Sequence, residues 1–376
     1  MLTIEQIYIL YLLRKSLGVQ TATADMPTDA KTVIDAILKN GILLTVYTSL
    51  PDTFQAPIKK MYIASVMQSV QQKHEGERVL KAISDAGMKC IALKGWELRN
   101  LYPHANMRQM ADLDVLVTPY KYNRIKDAIS PLGYVGGTEG SWKHDSFRNE
   151  VVHIEMHKRL TDDSDVIQKW EKGLWERATV VDGNIYRMSP EDYYIFHFVH
   201  LHKDFMNGSL GLRRIVDTWL LNRQPVDMSI VKNRLKFFGM WTFHERMVKL
   251  SKVTMGEDPM DDDNEFLLTH AFRHGIFGSG KSYKAGRIVS MGGSMKIGKL
   301  RSKIAAVFLP YKRMKAQYPI LQRWPILLPW CWLKRILRFL KGNMKRNRKM
   351  LDYSDVTEED YNEMRRFFEI GGVIKQ

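Results

Sequence analysis

Asp112 and Asp114 stand two residues apart in the run 108–117 (RQMADLDVLV). On a strand, that alternation puts both carboxylates on one face while Leu113 points into the core. Two carboxylates held this close repel each other unless a cation sits between them. Hard divalent ions such as Mg²⁺ take oxygen ligands of this kind, completed by phosphates and water. An isolated D-x-D is more often a strand end with two solvated acids; the apolar run Val115-Leu116-Val117 behind it and Lys94-Gly95 upstream set this one apart. Gly95 lets the backbone approach closely where a strand turns into a helix, and the N-terminus of that helix can face a phosphate. Lys94 adds a cation there. Arg108 reads either as a second phosphate cation or as a structural ion pair with one of the aspartates. A third acid belongs on a neighbouring strand. The run 151–157 (VVHIEMH) alternates, so that His153, Glu155 and His157 share a face, and Glu155 is the candidate. Two histidines and a glutamate could suit zinc, but their spacing follows no recognised zinc pattern, and the aspartates favour a harder ion.

The elements that must position these residues can be read from periodicity. Residues 1–86 are helical, with Pro27, Pro51 and Pro57 as breaks. The period then changes: a strand over 88–93 after Gly87, a helix over 94–101, a strand over 113–117, a helix over 120–129 and a strand over 151–156. Strands alternating with helices across 87–160 indicate a small α/β domain. From Pro190 to about Arg273 the pattern is helical again, opened by Ser189-Pro190-Glu191-Asp192, a strong helix start. The resulting division is 1–86 N-terminal helical, 87–188 catalytic, 189–274 helical and 275–376 basic C-terminal.

The arrangement K-G, then R-x-x-x-D-h-D-h-h-h, then h-E-h-H (h apolar) resembles the uncharacterised nucleotidyltransferase family of the polymerase-β superfamily. The run 196–203 (FHFVHLHK) followed by 212–217 (LRRIVD) is similar to that family's helical half. The resemblance covers roughly 83–221, with weaker similarity to Tyr318. It implies an α+β fold, a small polymerase-β-like domain of mixed sheet and flanking helices embedded in a mostly helical chain. It also implies binding of a nucleoside triphosphate through two Mg²⁺ ions, Mn²⁺ being an alternative, and transfer of a nucleoside monophosphate to an acceptor hydroxyl. The family's metal ligands map to Asp112, Asp114 and Glu155. The chain departs from the superfamily twice: the phosphate-gripping turn is Gly95-Trp96 where Gly-Ser or Gly-Gly is usual, and the third acid is Glu where Asp is common. On the downstream helix His197, His200 and Lys203 fall three apart, and Arg213 and Asp217 four apart. They read either as a lid over the triphosphate or as a packed helix pair with a capping salt bridge. The acceptor stays open: RNA or tRNA, a protein, a glycan precursor or a small molecule. A weak or inactive binding protein on the same fold, tethered to RNA or membrane, is the alternative that Gly95-Trp96 keeps in view.

The net charge of +16 is unevenly spread over the 376 residues. From 266 to 351 there are 20 Lys and Arg and no Asp or Glu, so the rest of the chain carries about −4 (16 minus 20). Residues 296–349 interleave these cations with Trp, Phe, Leu and Ile, a composition that serves RNA, an anionic membrane surface or an ordinary solvated face. Residues 275–282 (GIFGSGKS) fit the Walker A pattern by letter, but that motif must follow a buried strand, and 265–274 reads as the end of a helix. Downstream, 283–293 has three glycines and little helical periodicity. Two distant cysteines, Cys90 and Cys331, suggest a reducing compartment. The N-terminal run reads as an amphipathic helix and not a secretory signal, which points to a cytoplasmic protein, peripheral to a membrane if the basic region binds one.

Overall fold

The computed structural model describes residues 1–137, 143–160, 165–341 and 352–374. The alternating runs become strands β1 (Lys89–Ala92), β2 (Leu113–Thr118) and β5 (His153–His157), joined by β3 (Val135–Gly136), β4 (His144–Arg148), β6 (Thr179–Asp182) and β7 (Ile185–Arg187). They form one mixed sheet in the order β3-β4-β5-β2-β1-β7-β6. The fold class is α+β. Central β2 pairs parallel with β5 and antiparallel with β1, and β1 pairs parallel with β7. Two of the strands outside the sequence reading have visible causes. The β6–β7 hairpin turns at Gly183-Asn184, with Gly183 at φ 52°, the left-handed backbone that such a turn needs. β4 is rich in charge (HDSFR), yet its Asp145 and Phe147 are buried while its other residues are not, the period of a strand.

Two apolar clusters hold the larger part of the chain. One lies on the sheet, where Val79, Leu80 and Ile83 of the long helix Lys59–Asp85 and Ile125 and Ile129 of the helix Tyr122–Ile129 meet Val115, Ile154 and Met156. The other joins the first helix, Ile4–Ser16, to Pro190–Met206, Leu212–Asn222, Trp241–Met255, Asp262–His274, Gly280–Ser290 and Glu358–Ile370. The first helix buries Tyr8, Ile9, Leu10, Leu12 and Leu13, more of its circumference than an amphipathic helix would. Pro190–Met206 starts as its sequence predicts, with the Ser189 hydroxyl accepting from the Asp192 amide. A third, small cluster, Met314, Leu321 and Cys331, lies in the basic region. Among the described residues no helix is long and apolar enough to cross a membrane.

The Walker-like letters fall between two helices. Asp262–His274 ends at Gly275, and Gly280–Ser290 begins at Ser279, whose hydroxyl and that of Ser282 form a reciprocal capping box. The expected weak helicity beyond Tyr283 is corrected by this second helix; its buried Gly286 packs against the Met206 carbonyl and the Phe368 ring, a contact for which glycine serves better than a larger helix former. Lys281, which a P-loop would aim at phosphate, pairs with Asp360 at 2.8 Å. With no strand before it, this loop lacks the geometry that cradles a triphosphate. Lys281→Ala is therefore expected to leave ATP affinity within about twofold in equilibrium binding, and a loss of orders of magnitude would restore the P-loop.

Candidate active site

Register builds the site. Asp114 on β2 lies directly beside Glu155 on β5, and Glu155 lies opposite Ser146 on β4. Asp112, at the entrance to β2, completes a group in which one carboxylate oxygen from each residue lies within 4.8 Å of the others. Three acceptor-only oxygen donors at this separation suit a hard divalent cation. Burial and the neighbouring Asp114 raise the pKa of Asp112, as crowded acids require. The mutual repulsion expected of the pair is relieved on one side only. Lys94 Nζ donates to Asp114 Oδ1 at 2.6 Å, and His157 Nε2 reaches the same oxygen at 2.7 Å. Burial would raise the Asp114 pKa, but these two cationic partners outweigh it and the net shift is downward. His157 is correspondingly raised: burial opposes its charge, and the hydrogen bonds to Asp114 and Glu155 prevail.

Glu155 sits between two imidazoles, 3.3 Å from His157 Nε2 and 3.5 Å from His144 Nε2. Hydrogen bonding from His157 lowers its pKa, while burial keeps His144 low. His144 was not among the residues read from sequence, because β4 was not legible as a strand. It makes His144, Glu155 and His157 a second possible ligand group, sharing Glu155 with the first. His153, on the same face by alternation, is exposed and belongs to neither.

Lys94 takes φ 47°, ψ −117°, a left-handed backbone that costs a non-glycine residue about 1 kcal/mol or more. Its carbonyl accepts from the Tyr193 hydroxyl at 2.5 Å, and its ammonium is held by Asp114, so both ends of the residue are fixed. The helix that follows is one α turn, Gly95–Leu98, continued as 3-10 over Arg99–Leu101, and its dipole is correspondingly small. Gly95 is needed for a different reason from the expected one: a Cβ there would lie 2.5 Å from Arg108 Nη1 and 2.9 Å from Met110 Cγ. Trp96, in place of a hydroxyl residue, lays its ring on Gly76 of the long helix, where a Cβ would approach it to 2.3 Å. Trp96 serves packing.

Arg108 pairs with Asp217, and with neither site aspartate. Its Nε and Nη2 donate to the two oxygens of Asp217 at 2.7 and 2.8 Å, and Tyr102 donates to the same carboxylate at 2.9 Å. Both partners are buried. Burial disfavours each charge, yet each is held ionised by the other: Arg108 shifts up and Asp217 down. The expected pairing of Arg213 with Asp217 is therefore replaced. Arg213 donates to the Gln109 carbonyl at 2.7 Å, its Nε has no partner among the described residues, and burial followed by repulsion from Arg108 lowers its pKa to about 10. Asp204 Oδ2 lies in ion-pair contact with Arg214 Nη2 at 2.8 Å and faces His200 Nδ1 at 3.0 Å. His197 bonds Thr218, and burial takes its pKa down to about 4.

Lys94, Arg108, Asp112, Asp114, His197, His200, Asp204, Arg213, Arg214 and Asp217 line one open cleft between the sheet and the helices Pro190–Met206 and Leu212–Asn222, with Glu155 next to Asp112 and Asp114 outside its wall. Lys94, Gly95, Arg108, Asp112, Asp114, His200 and Arg213 all face it; Lys203 is half-buried outside its wall. Lys94, Arg108, Arg213 and Arg214 give four positive charges and Asp112, Asp114, Asp204 and Asp217 four negative, so the cleft is nearly neutral.

A family described as an uncharacterised nucleotidyltransferase has a sequence model that matches residues 28–256. The match takes in every residue of the cleft wall except Phe277. No curated protein and no solved structure matches the chain.

Asp217→Asn leaves the Arg108 charge buried against a neutral partner, and is expected to lower unfolding free energy by about 3–5 kcal/mol in urea titrations. Because the folded pKa of Asp217 is depressed, the pair's contribution should be complete above the ordinary aspartate pKa of about 4 and be lost as pH falls towards the lower folded value. An Asn variant as stable as the parent would show the pair to be energetically idle.

Proposed function

The chain belongs to this uncharacterised nucleotidyltransferase family, and on that premise we propose that it transfers a nucleoside monophosphate from an NTP to an acceptor hydroxyl, with Asp112, Asp114 and Glu155 holding the catalytic metal. The observation that carries this reading is the register of β2 beside β5, which brings the three carboxylates together at the edge of the cleft. The charge balance supports it. Four cations matched by four aspartates leave little net charge for a triphosphate, so added cations are needed to make the cleft attractive to one. Two Mg²⁺ ions, or Mn²⁺ in their place, held by Asp112 and Asp114 with Glu155 sharing one of them, would supply Lewis-acid activation of the acceptor hydroxyl and neutralise the triphosphate and the departing pyrophosphate.

The chain's own groups have separable tasks. Lys94, pinned at its carbonyl by Tyr193, can share its charge between Asp114 and a phosphate beside it. Arg213 brings an incompletely satisfied guanidinium to the cleft wall, the best placed of the cations there to bind phosphate. His200, oriented through Nδ1–H by Asp204, presents Nε2 as an acceptor from the facing helix. Glu155 receives the proton of the acceptor hydroxyl, and His144, kept neutral by burial, can take it onward. Phe277, in the Walker-like loop, lines the cleft with 79% of its surface exposed and offers a face for the base.

Incubation with each α-labelled NTP, Mg²⁺ and a fractionated lysate tests the activity, and the labelled fraction identifies the acceptor. Asp112→Ala and Asp114→Ala should each reduce label transfer to background. The metal-free stabilities of the two asparagine variants should diverge. Asp112→Asn holds or raises the melting temperature by relieving repulsion, whereas Asp114→Asn loses about 1–3 kcal/mol because Lys94 and His157 are left without their shared carboxylate. Near-normal transfer by either alanine variant would refute the site, and NTP binding without transfer in the parent would mark an inactive member of the family.

Phe277→Ala should raise KM for the nucleotide about fivefold or more with kcat little changed, the loss of roughly 1 kcal/mol or more expected for a stacking contact. An unchanged KM would remove Phe277 from the site.

A further inference from the structure

Ten of the 27 large exposed apolar side chains among the described residues lie within 297–337, about a ninth of the chain. Their placement is systematic. The helix Met295–Val307 buries Gly298, Ser302 and Ala306, its small residues, against the rest of the protein. A Cβ at position 298 would lie 2.6 Å from the Ile288 carbonyl, so this side of the helix is set flush on Gly280–Ser290. Its large apolar residues Ile297, Leu300 and Ile304, at i, i+3 and i+7, all point to solvent. The helix Leu328–Lys341 does the same: Cys331 is buried while Trp330, Leu333 and Leu337 form an exposed stripe at the same spacing. Between the two helices, Trp324 and Ile326 also stand out, Ile326 with 84% of its surface exposed. An ordinary surface helix has the reverse pattern, and patches of this extent on soluble proteins mark interaction surfaces.

Charge decides what covers this surface. From 296 to 341 there are twelve Lys and Arg and no acid. A second copy of the chain would bring like charges together, which disfavours self-association through this region. A nucleic acid would satisfy the charge, but it uses aromatic faces for stacking, and seven of the ten exposed residues are aliphatic Ile or Leu. Aliphatic side chains and tryptophans flanked by Lys and Arg are what an interfacial helix presents to lipid: apolar groups enter the acyl boundary while the cations meet anionic headgroups. Lys334 lies 5.6 Å over the Trp330 ring, so cation and indole already share one locus. We propose that residues 295–341 form a docking face for an anionic phospholipid bilayer, holding the nucleotidyltransferase cleft at a membrane surface. The basic run 345–349 lies outside the described residues and is not needed for this assignment.

The test is flotation of the full-length protein with phosphatidylcholine vesicles and with vesicles of equal parts phosphatidylcholine and phosphatidylglycerol. Binding is expected to the anionic vesicles only, and to weaken with salt. Serine at Ile297, Leu300, Ile304, Trp330 and Leu333 should cut partitioning roughly tenfold or more with every cation retained. Because these side chains are solvent-exposed, the variant should keep the parent's circular dichroism and melting temperature. Three results would overturn the assignment: no flotation at low salt; flotation undiminished in the serine variant; or loss in that variant of tight RNA retention on filters, or of a dimer seen by light scattering, where the parent does not float.

Discussion

The buried pair of Arg108 and Asp217 is the constraint on which the cleft depends. Arg108 precedes β2 on the sheet side, and Asp217 belongs to the helix Leu212–Asn222 on the other, 109 residues away. Charges buried to this degree are tolerated only when nearly every hydrogen-bonding position is filled, and here two parallel donors and the Tyr102 hydroxyl fill the carboxylate. The consequence is geometric. Fork and carboxylate are both planar, so their bidentate contact fixes the separation and the angle of the cleft's walls. Gly95 is part of the same device, because only a residue without a side chain leaves room for the guanidinium.

Committing Arg108 and Asp217 to each other shapes the electrostatics of what remains. Arg214 and His200 are engaged by Asp204, and Lys94 and His157 by Asp114. Arg213 stands outside this pairing, with its Nε unsatisfied, and Asp112 carries the raised pKa of an acid without a matching cation. The residues best placed to respond to a ligand are therefore one arginine and one aspartate on opposite sides of the cleft. The others are held in position beforehand, which reduces the ordering a bound nucleotide would require.

The parts of the site legible in sequence are those set by short-range alternation. Asp114 and Glu155 occupy strands, and Asp112 the residue just before one, whose period of two is written in a few adjacent residues; the start of Pro190–Met206 is likewise local. Partners distant in sequence left no such trace: nothing near Arg108 names Asp217, and nothing near Glu155 names His144. The strand carrying His144 is hidden by its charged composition, since its inward-facing polar residue, Asp145, is buried with one oxygen held by Tyr120 and Lys158. The opposite error threatens at 275–282, where a capping box and a glycine-rich helix junction reproduce the letters of a phosphate loop without its strand. Composition left the basic region open between a solvated face and a surface for RNA or membrane. Only the burial of Gly298, Ser302 and Ala306 determined which side of the helix faces outward.

The C-terminal helix Glu358–Ile370 has a bearing on how the protein is made. Its Phe367 ring stacks on Phe205 at 3.9 Å, and Phe368 packs against the same ring, so the helix that carries His197 and His200 is supported from behind by residues more than 150 positions later. The sheet cluster, by contrast, draws its members from a span of about one hundred residues. During synthesis, which proceeds at roughly 5–20 residues per second, the sheet has all its partners roughly ten to forty seconds before the helical wall has this support. Throughout that interval the apolar back of the helix Pro190–Met206 lacks its final cover, and the cationic segment is itself synthesised before that cover arrives. A nascent chain in this state exposes its stickiest surfaces together. The last thirteen-residue helix, far from the chemistry, is thus the piece whose arrival ends the chain's period of greatest risk of aggregation.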